Sequence, residues 1–206
     1  MSRILLVGLG NPGHQYKYTR HNVGFAVLDR LAPQFGLGFI PHKKFPPYES
    51  ISGSMRGIPA ILLKPFTYMN RSGDAVASVL NFYKISLDRL LVVHDDLDLS
   101  LGSLKFMQGG GPGGHKGIGS IIRSIGSKDF SRLKIGIGRP FSPVPIDKYV
   151  LSPFLSEEVQ VIDKILDVSI KGLVCFLEKG IESAMNEFNG LKIETNLSDQ
   201  PLAVSY

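Results

Sequence analysis

The sequence predicts a single α/β domain, and three observations predict it. Short apolar runs recur at Ile4–Val7, Ile58–Leu63 and Leu90–Val93, as suits strands buried on both faces. Segments of helical period separate these runs. The chain's 206 residues, 43% of them hydrophobic, are enough for one sizeable core.

The first run, Ile4-Leu5-Leu6-Val7, is closed by Gly8 and predicts the opening strand. Asn22 is a candidate cap for a helix whose stripe is Val23, Ala26, Val27 and Leu31, with Pro33 limiting its length. Asn70 or Ser72 is a candidate cap for a second helix, where Val76, Val79, Leu80 and Tyr83 recur at i, i+3, i+4 and i+7. Leu133-Lys134-Ile135-Gly136-Ile137 alternates apolar with polar or small residues and predicts another strand. From Ser156 a long helix carries Glu157 and Glu158 in its first turn, where carboxylates suit the helix dipole. Val159, Ile162, Leu166, Leu173 and Leu177 keep its spacing, and Gly180 ends it. Phe141-Ser142-Pro143-Val144-Pro145 reads as a loop. No repeat divides the chain, so residues 1–190 read as one domain and the aperiodic residues 191–206 as a C-terminal tail.

Composition narrows the function. The opening apolar run is shorter than the ~7–15 residues of a secretory signal core and far below a membrane span, so a soluble cytoplasmic protein is expected. The single cysteine, Cys175, excludes an intramolecular disulfide and a cysteine metal cluster, and reads as a core residue. Charge is uneven. Residues 101–150 hold eight lysines and arginines against two acidic residues, a basic stretch that attracts a polyanion by neutralising phosphates.

Two glycine clusters carry motif signals. Gly8-Leu9-Gly10-Asn11-Pro12-Gly13 matches a dinucleotide pattern after a strand, but Pro12 removes an amide and the next helical stripe begins only after Asn22. The segment Gly109–Gly117 has six glycines in nine residues without the Gly-Lys-Ser/Thr ending of a nucleotide loop. With Lys116 and a helix pattern behind it, it can line a cleft with exposed amides. The five histidines form no metal-binding spacing, and an EF-type loop begun at Asp96 puts Met107 where a glutamate ligand belongs. What remains is acid–base chemistry. His94-Asp95-Asp96 ends a strand, where ligands of open α/β sheets gather, and His21 follows the first glycine loop. A histidine oriented by a carboxylate makes a general base near neutral pH.

These blocks together resemble a known family. Val7-Gly8-Leu9-Gly10-Asn11-Pro12-Gly13, Tyr16, Thr19-Arg20-His21-Asn22, Tyr68-Met69-Asn70-Arg71-Ser72-Gly73, His94-Asp95-Asp96-Leu97-Asp98, Gly109–Gly117 and Arg132–Gly138 stand in the order seen in bacterial peptidyl-tRNA hydrolases, over roughly residues 3–190. The resemblance implies a mixed, mostly parallel sheet flanked by helices in a usually monomeric enzyme without metal or organic cofactor. It also implies hydrolysis of the ester between a peptide and the terminal ribose of tRNA. His21 would then be the base and Asp95 its orienting partner. Asn11 and Asn70 would grip the peptide and the attacked carbonyl, and Tyr16 and Tyr68 would line the acceptor end.

The chain departs from the family pattern in two places. Lys116 stands where the family commonly has a substrate-contacting asparagine. Lys134 occupies one position of the phosphate clamp, while the other is Met107, leaving Lys105 as the substitute. A related fold that binds RNA without hydrolysis, as splicing factors do, is the alternative; His21 and Asp95 together argue against it.

Overall fold

The structure, a computed structural model, describes residues 3–36, 38–140 and 143–191. Its strands are β1 (Ile4–Gly8), β2 (Ile40–His42), β3 (Tyr48–Met55), β4 (Ile58–Pro65), β5 (Leu90–Asp96), β6 (Leu104–Gln108) and β7 (Ser131–Gly136). They make one seven-stranded sheet in the order β2-β3-β4-β1-β5-β7-β6. The central strands β4, β1, β5 and β7 run parallel, while antiparallel pairing adds β3 and β2 at one edge and β6 at the other. The helices are α1 (Val23–Leu31), α2 (Ser72–Tyr83), α3 (Lys116–Ile125), α4 (Ile146–Val150), α5 (Ser156–Lys179) and α6 (Ile181–Phe188).

Continuous apolar runs form the central strands because both sheet faces are covered. Leu6 packs in a cluster with residues of α1 and α5, whereas Leu5 and Val7 pack in a second cluster with α2 and α3. Leu5, Leu6 and Val7 are fully buried, each contributing on the order of 1.5–3 kcal/mol by leaving water.

Helix α1 lies against the sheet more closely than side chains normally permit. A Cβ on Gly24 would stand 2.5 Å from both the Leu9 amide and the Val93 carbonyl, and one on Gly8 would stand 2.3 Å from the Gly24 carbonyl. The first glycine cluster therefore serves helix-to-strand contact, which brings the residues just before α1 to the carboxyl ends of β1 and β5.

Several local expectations need correction. Asn22 stands at the N-cap of α1 without capping it, because its side chain bonds the Asn11 backbone instead. Arg71 occupies the N-cap of α2, and Ser72, one residue inside, turns its hydroxyl back to the Met69 carbonyl. Asn70 caps nothing. Val159 is exposed, although Ile162, Leu166, Leu173 and Leu177 are buried as their spacing implies. Beyond Gly180 the chain re-enters a helix, α6, before the expected tail. Residues 192–206, and 141–142 of the expected loop, lie outside the described residues.

Candidate active site

At the end of β5 the alternation of a strand sends His94 and Asp96 to one face and Asp95 to the other. Asp95 is buried, yet His21 Nδ1 lies 2.8 Å and His115 Nε2 3.0 Å from its Oδ1. His115 fixes its own tautomer. Its Nδ1 accepts the Gly117 and Ile118 amides at 3.1 and 3.3 Å, capping α3, so the ring's hydrogen sits on Nε2 and is donated to Asp95. His21 likewise donates Nδ1–H to Asp95, which leaves Nε2 as its unprotonated nitrogen beside the cleft it lines. Burial pushes the Asp95 carboxyl up, but His115 and His21 together outweigh burial and hold it well below the usual carboxylate range.

Donor atoms of His21, Asp95 and His115 all lie within 4.8 Å of one another, a grouping that metals also use. Here the facing atoms are spaced as hydrogen bonds. A zinc ion shared by two ligands would hold them ~3.3 Å apart, for bonds of ~2.0 Å in tetrahedral geometry.

His94 completes a histidine chain, its ring 4.8 Å from that of His115. Its Nδ1–H donates to the Asp95 carbonyl at 2.7 Å, while its Nε2 is buried without a partner. Burial first, and His115 second, lower its pKa well below the ordinary histidine value. The unfolded chain therefore takes up this proton first as pH falls below ~6.5. Stability attributable to a neutral His94 is present above ~6.5 and declines below it. Stability should therefore fall between pH 7 and 5.5, and His94→Gln should remove that part of the fall. Urea unfolding at the two pH values checks this: an unchanged difference in the variant would clear His94. Asp95 contributes in another window, its stabilisation holding above ~3.9 and falling away as pH drops toward its lower folded value.

A cleft of about 750 Å³ opens beside these groups, lined among others by Asn11, Tyr16, His21, Tyr68, Asn70 and Lys116. Asn11 is oriented by its surroundings. Its Oδ1 accepts the Met69 amide at 2.9 Å, so the amide hydrogens of Nδ2 are the end left for a ligand. Asn70 is exposed in the 3₁₀ turn Met69–Arg71, Tyr68 is 61% exposed, and Tyr16 is half-buried. Lys116 begins α3 and is exposed. Positive φ angles of 54° at Gly113 and 78° at Gly114 turn the chain immediately before His115.

The His21 turn is clamped from behind. Arg20 is buried, its guanidinium bonded to both carboxylate oxygens of Glu158 at 3.1 and 2.6 Å. It also lies 4.5 and 4.9 Å from the ring centroids of Tyr149 and Phe154. The Arg20 amide donates to the Ser152 carbonyl at 3.0 Å, tying this turn to the α4–α5 corner.

A sequence profile described as peptidyl-tRNA hydrolase matches residues 5–196. The chain belongs to the peptidyl-tRNA hydrolase family. It is 45% identical over 199 residues to the peptidyl-tRNA hydrolase of a Synechococcus species, covering 97% of this chain and 88% of that one. It is 45% identical over 186 residues to that of Carboxydothermus hydrogenoformans, covering 90% of this chain and 98% of that one. The crystal structure of the Acinetobacter baumannii peptidyl-tRNA hydrolase superposes with a TM-score of 0.86 at 38% identity, covering 92% of this chain and 96% of that one.

Within this member of the peptidyl-tRNA hydrolase family, the residues expected from sequence largely meet. His21, Asp95, Asn11, Asn70, Tyr16, Tyr68, Lys116 and Lys134 all line the cleft. Lys134 is engaged there, its ammonium paired with Asp96. Lys105 is not in the cleft; it is exposed on the edge strand β6, opposite Lys134 in the ladder. Sequence reasoning gave His115 no role, although a histidine next to a helix start was the available signal. It also read Glu158 as serving the helix dipole alone, missing its pairing with Arg20.

Proposed function

We propose that the protein hydrolyses the ester joining a peptide, or an N-blocked aminoacyl group, to the terminal ribose of tRNA, which recycles tRNA from aborted translation. The carrying observation is the His21–Asp95 pair beside the cleft, with His21 Nδ1–H fixed on the carboxylate, which leaves Nε2 as the nitrogen able to accept a proton. Nε2 removes a proton from water as the water oxygen attacks the ester carbonyl. The tetrahedral species then collapses, the ribose oxygen leaves, and the imidazolium returns the proton to it. Asp95 stabilises the imidazolium formed between these steps, and His115 supports Asp95 through a second N–H donor.

Asn11, which presents Nδ2 hydrogens, suits a peptide carbonyl or the developing oxyanion, while the exposed amide of Asn70 can both donate and accept. Lys116 replaces an amide by a charged donor, so it serves a carbonyl or a phosphate but accepts nothing. Tyr16 and Tyr68 offer aromatic faces to the acceptor end. Lys134, a partly exposed side chain paired with Asp96, lends its remaining N–H donors to a phosphate, and Lys105 extends the positive flank outward. The reading extends to a cytoplasmic monomer with its catalytic domain in residues 1–190 and no metal or organic cofactor, since water, His21 and Asp95 supply the reacting groups. No helix among the described residues is long and apolar enough to cross a membrane.

The test is release of tRNA from an N-blocked aminoacyl-tRNA by the unaltered protein, with binding measured alongside. Release is expected. Binding without release would hand the cleft to the alternative, a non-catalytic RNA-binding protein, with Lys116 the first suspect.

A further inference from the structure

Arg132 is a buried cation without a carboxylate. It stands on β7 opposite Met107 of β6, and among the described residues it enters no ion pair, whereas its neighbour Lys134 pairs with Asp96. Carbonyl oxygens take the place of a counter-charge. Its Nη1 donates to the Gly111 carbonyl at 2.7 Å, and its Nη2 donates to the Gly110 carbonyl and, at 3.5 Å, to that of Lys128. The guanidinium also lies over the Phe130 ring, 4.6 Å from its centroid. Burying a charge is costly even when it is hydrogen-bonded, and an apolar residue of similar volume would avoid that cost. What the guanidinium fork supplies instead is a fixed grip on two consecutive carbonyls.

The gripped loop lines the cleft and ends at His115. Positive φ angles of 67° at Gly109 and 110° at Gly110 begin the turn that Gly113 and Gly114 complete, and residues 111–114 line the cleft. Glycine gives up more backbone freedom on ordering than any other residue, so such a loop keeps one shape only where something holds it. The Gly109 amide donates to the Phe130 carbonyl at 3.0 Å. From there to His115, among the described residues, only the Arg132 hydrogen bonds tie the loop to the sheet. Two further bonds carry the grip to the site. The Pro112 carbonyl, next after Gly111, accepts the His115 amide at 2.9 Å, and His115 Nε2–H reaches Asp95. Helix α3 is anchored separately. The Gly73 amide of α2 donates to Ser120 Oγ at 3.0 Å, and a Cβ on Gly73 would stand 2.3 Å from the Ser120 carbonyl. Loosening the loop therefore frees the cap residue, His115, before it frees the helix.

We infer that Arg132 is a positioning residue for the catalytic pair: by fixing the Gly110 and Gly111 carbonyls it holds the His115 imidazole on Asp95, and through Asp95 it holds the tautomer of His21. The inference rests on the hydrolase reading for its effect on rate, but not for its effect on His115.

The experiment compares Arg132→Lys with the unaltered protein. A lysine keeps the charge but cannot fork across two carbonyls, so kcat for an N-blocked aminoacyl-tRNA should fall about ten- to a hundredfold, while KM and the binding of uncharged tRNA hold. In a His115→Ala background the same substitution should change kcat by less than about twofold, because the group it acts through is gone. Nitrogen NMR of the imidazoles reads the same link without substrate. His115 should carry hydrogen on Nε2 alone in the unaltered protein and show mixed tautomers in Arg132→Lys. Arg132→Gln keeps one donor group and no charge, and should fail in the same way. Unaltered kcat in either variant would overturn the inference, as would losses that multiply with His115→Ala or a His115 tautomer left unmixed. A salt dependence of tRNA binding flattened by a slope of ~0.7–0.9 would also overturn it, by making Arg132 a phosphate contact. Failure of the hydrolase reading registers separately, as an unaltered protein that releases no tRNA while Arg132→Lys still mixes the His115 tautomers.

Discussion

His21→Ala is expected to lower kcat for an N-blocked aminoacyl-tRNA by two to four orders of magnitude, the usual worth of a positioned general base, with tRNA binding unchanged. The change removes the nitrogen that takes the proton but leaves Asn11, Tyr68 and Lys116 in the cleft. Asp95→Asn should approach the same loss by another route. Two N–H donors, from His21 and His115, converge on Asp95 Oδ1, and an amide brings its own hydrogens and no charge to that point. The imidazolium formed during attack would lose its counter-charge, and His21 its fixed tautomer. If the two residues act as a unit, the double variant is no slower than His21→Ala alone. Losses that multiply, or a fall in binding as large as the fall in kcat, would remove the pair from its proposed role.

How much of this was legible beforehand depended on whether a feature was local. The runs Ile4–Val7, Ile58–Leu63 and Leu90–Val93 announce strands because parallel strands covered on both faces need apolar residues at every position. The edge strands were not legible. β2 contains Pro41 and is exposed throughout, and β3 is half polar, so neither carries the apolar run that marks a buried strand. The site divides the same way. His21 and Asp95 each sit beside a recognisable glycine loop or strand end, while His115 gains its meaning only from Asp95, twenty residues upstream on another element. Asn22 has the chemistry of a cap and is drawn off by the Asn11 backbone, a partner that closes only after α1 docks on β1. Lys134 reads as a free cation until the register of β5 against β7 brings Asp96 within reach.

Glu158→Gln should cost about 3–5 kcal/mol of stability, because it leaves the Arg20 guanidinium buried without its counter-charge. For a chain of this size, about 2–4 °C per kcal/mol, a fall in Tm of roughly 6–20 °C follows. The glutamine keeps the length of the side chain and one oxygen for the Leu155 amide, which the carboxylate now accepts at 2.7 Å, so loss of the α5 cap is not the cause. The rings of Tyr149 and Phe154 favour a cation but cannot replace the two hydrogen bonds. A second substitution separates charge from shape. Arg20→Met added to Glu158→Gln removes the stranded cation and fills the space between the two rings, so it should recover most of the lost Tm. No recovery would mean that the arginine stem, rather than the ion pair, holds this corner. The backbone bond from Arg20 to Ser152 and the bridge between Thr19 and Pro153 survive in both variants, so the turn carrying His21 stays in register. The loss should therefore fall mainly on stability, with kcat at low temperature changed by less than tenfold. A hundredfold drop in kcat with Tm intact would instead make Arg20 a positioning residue for the base.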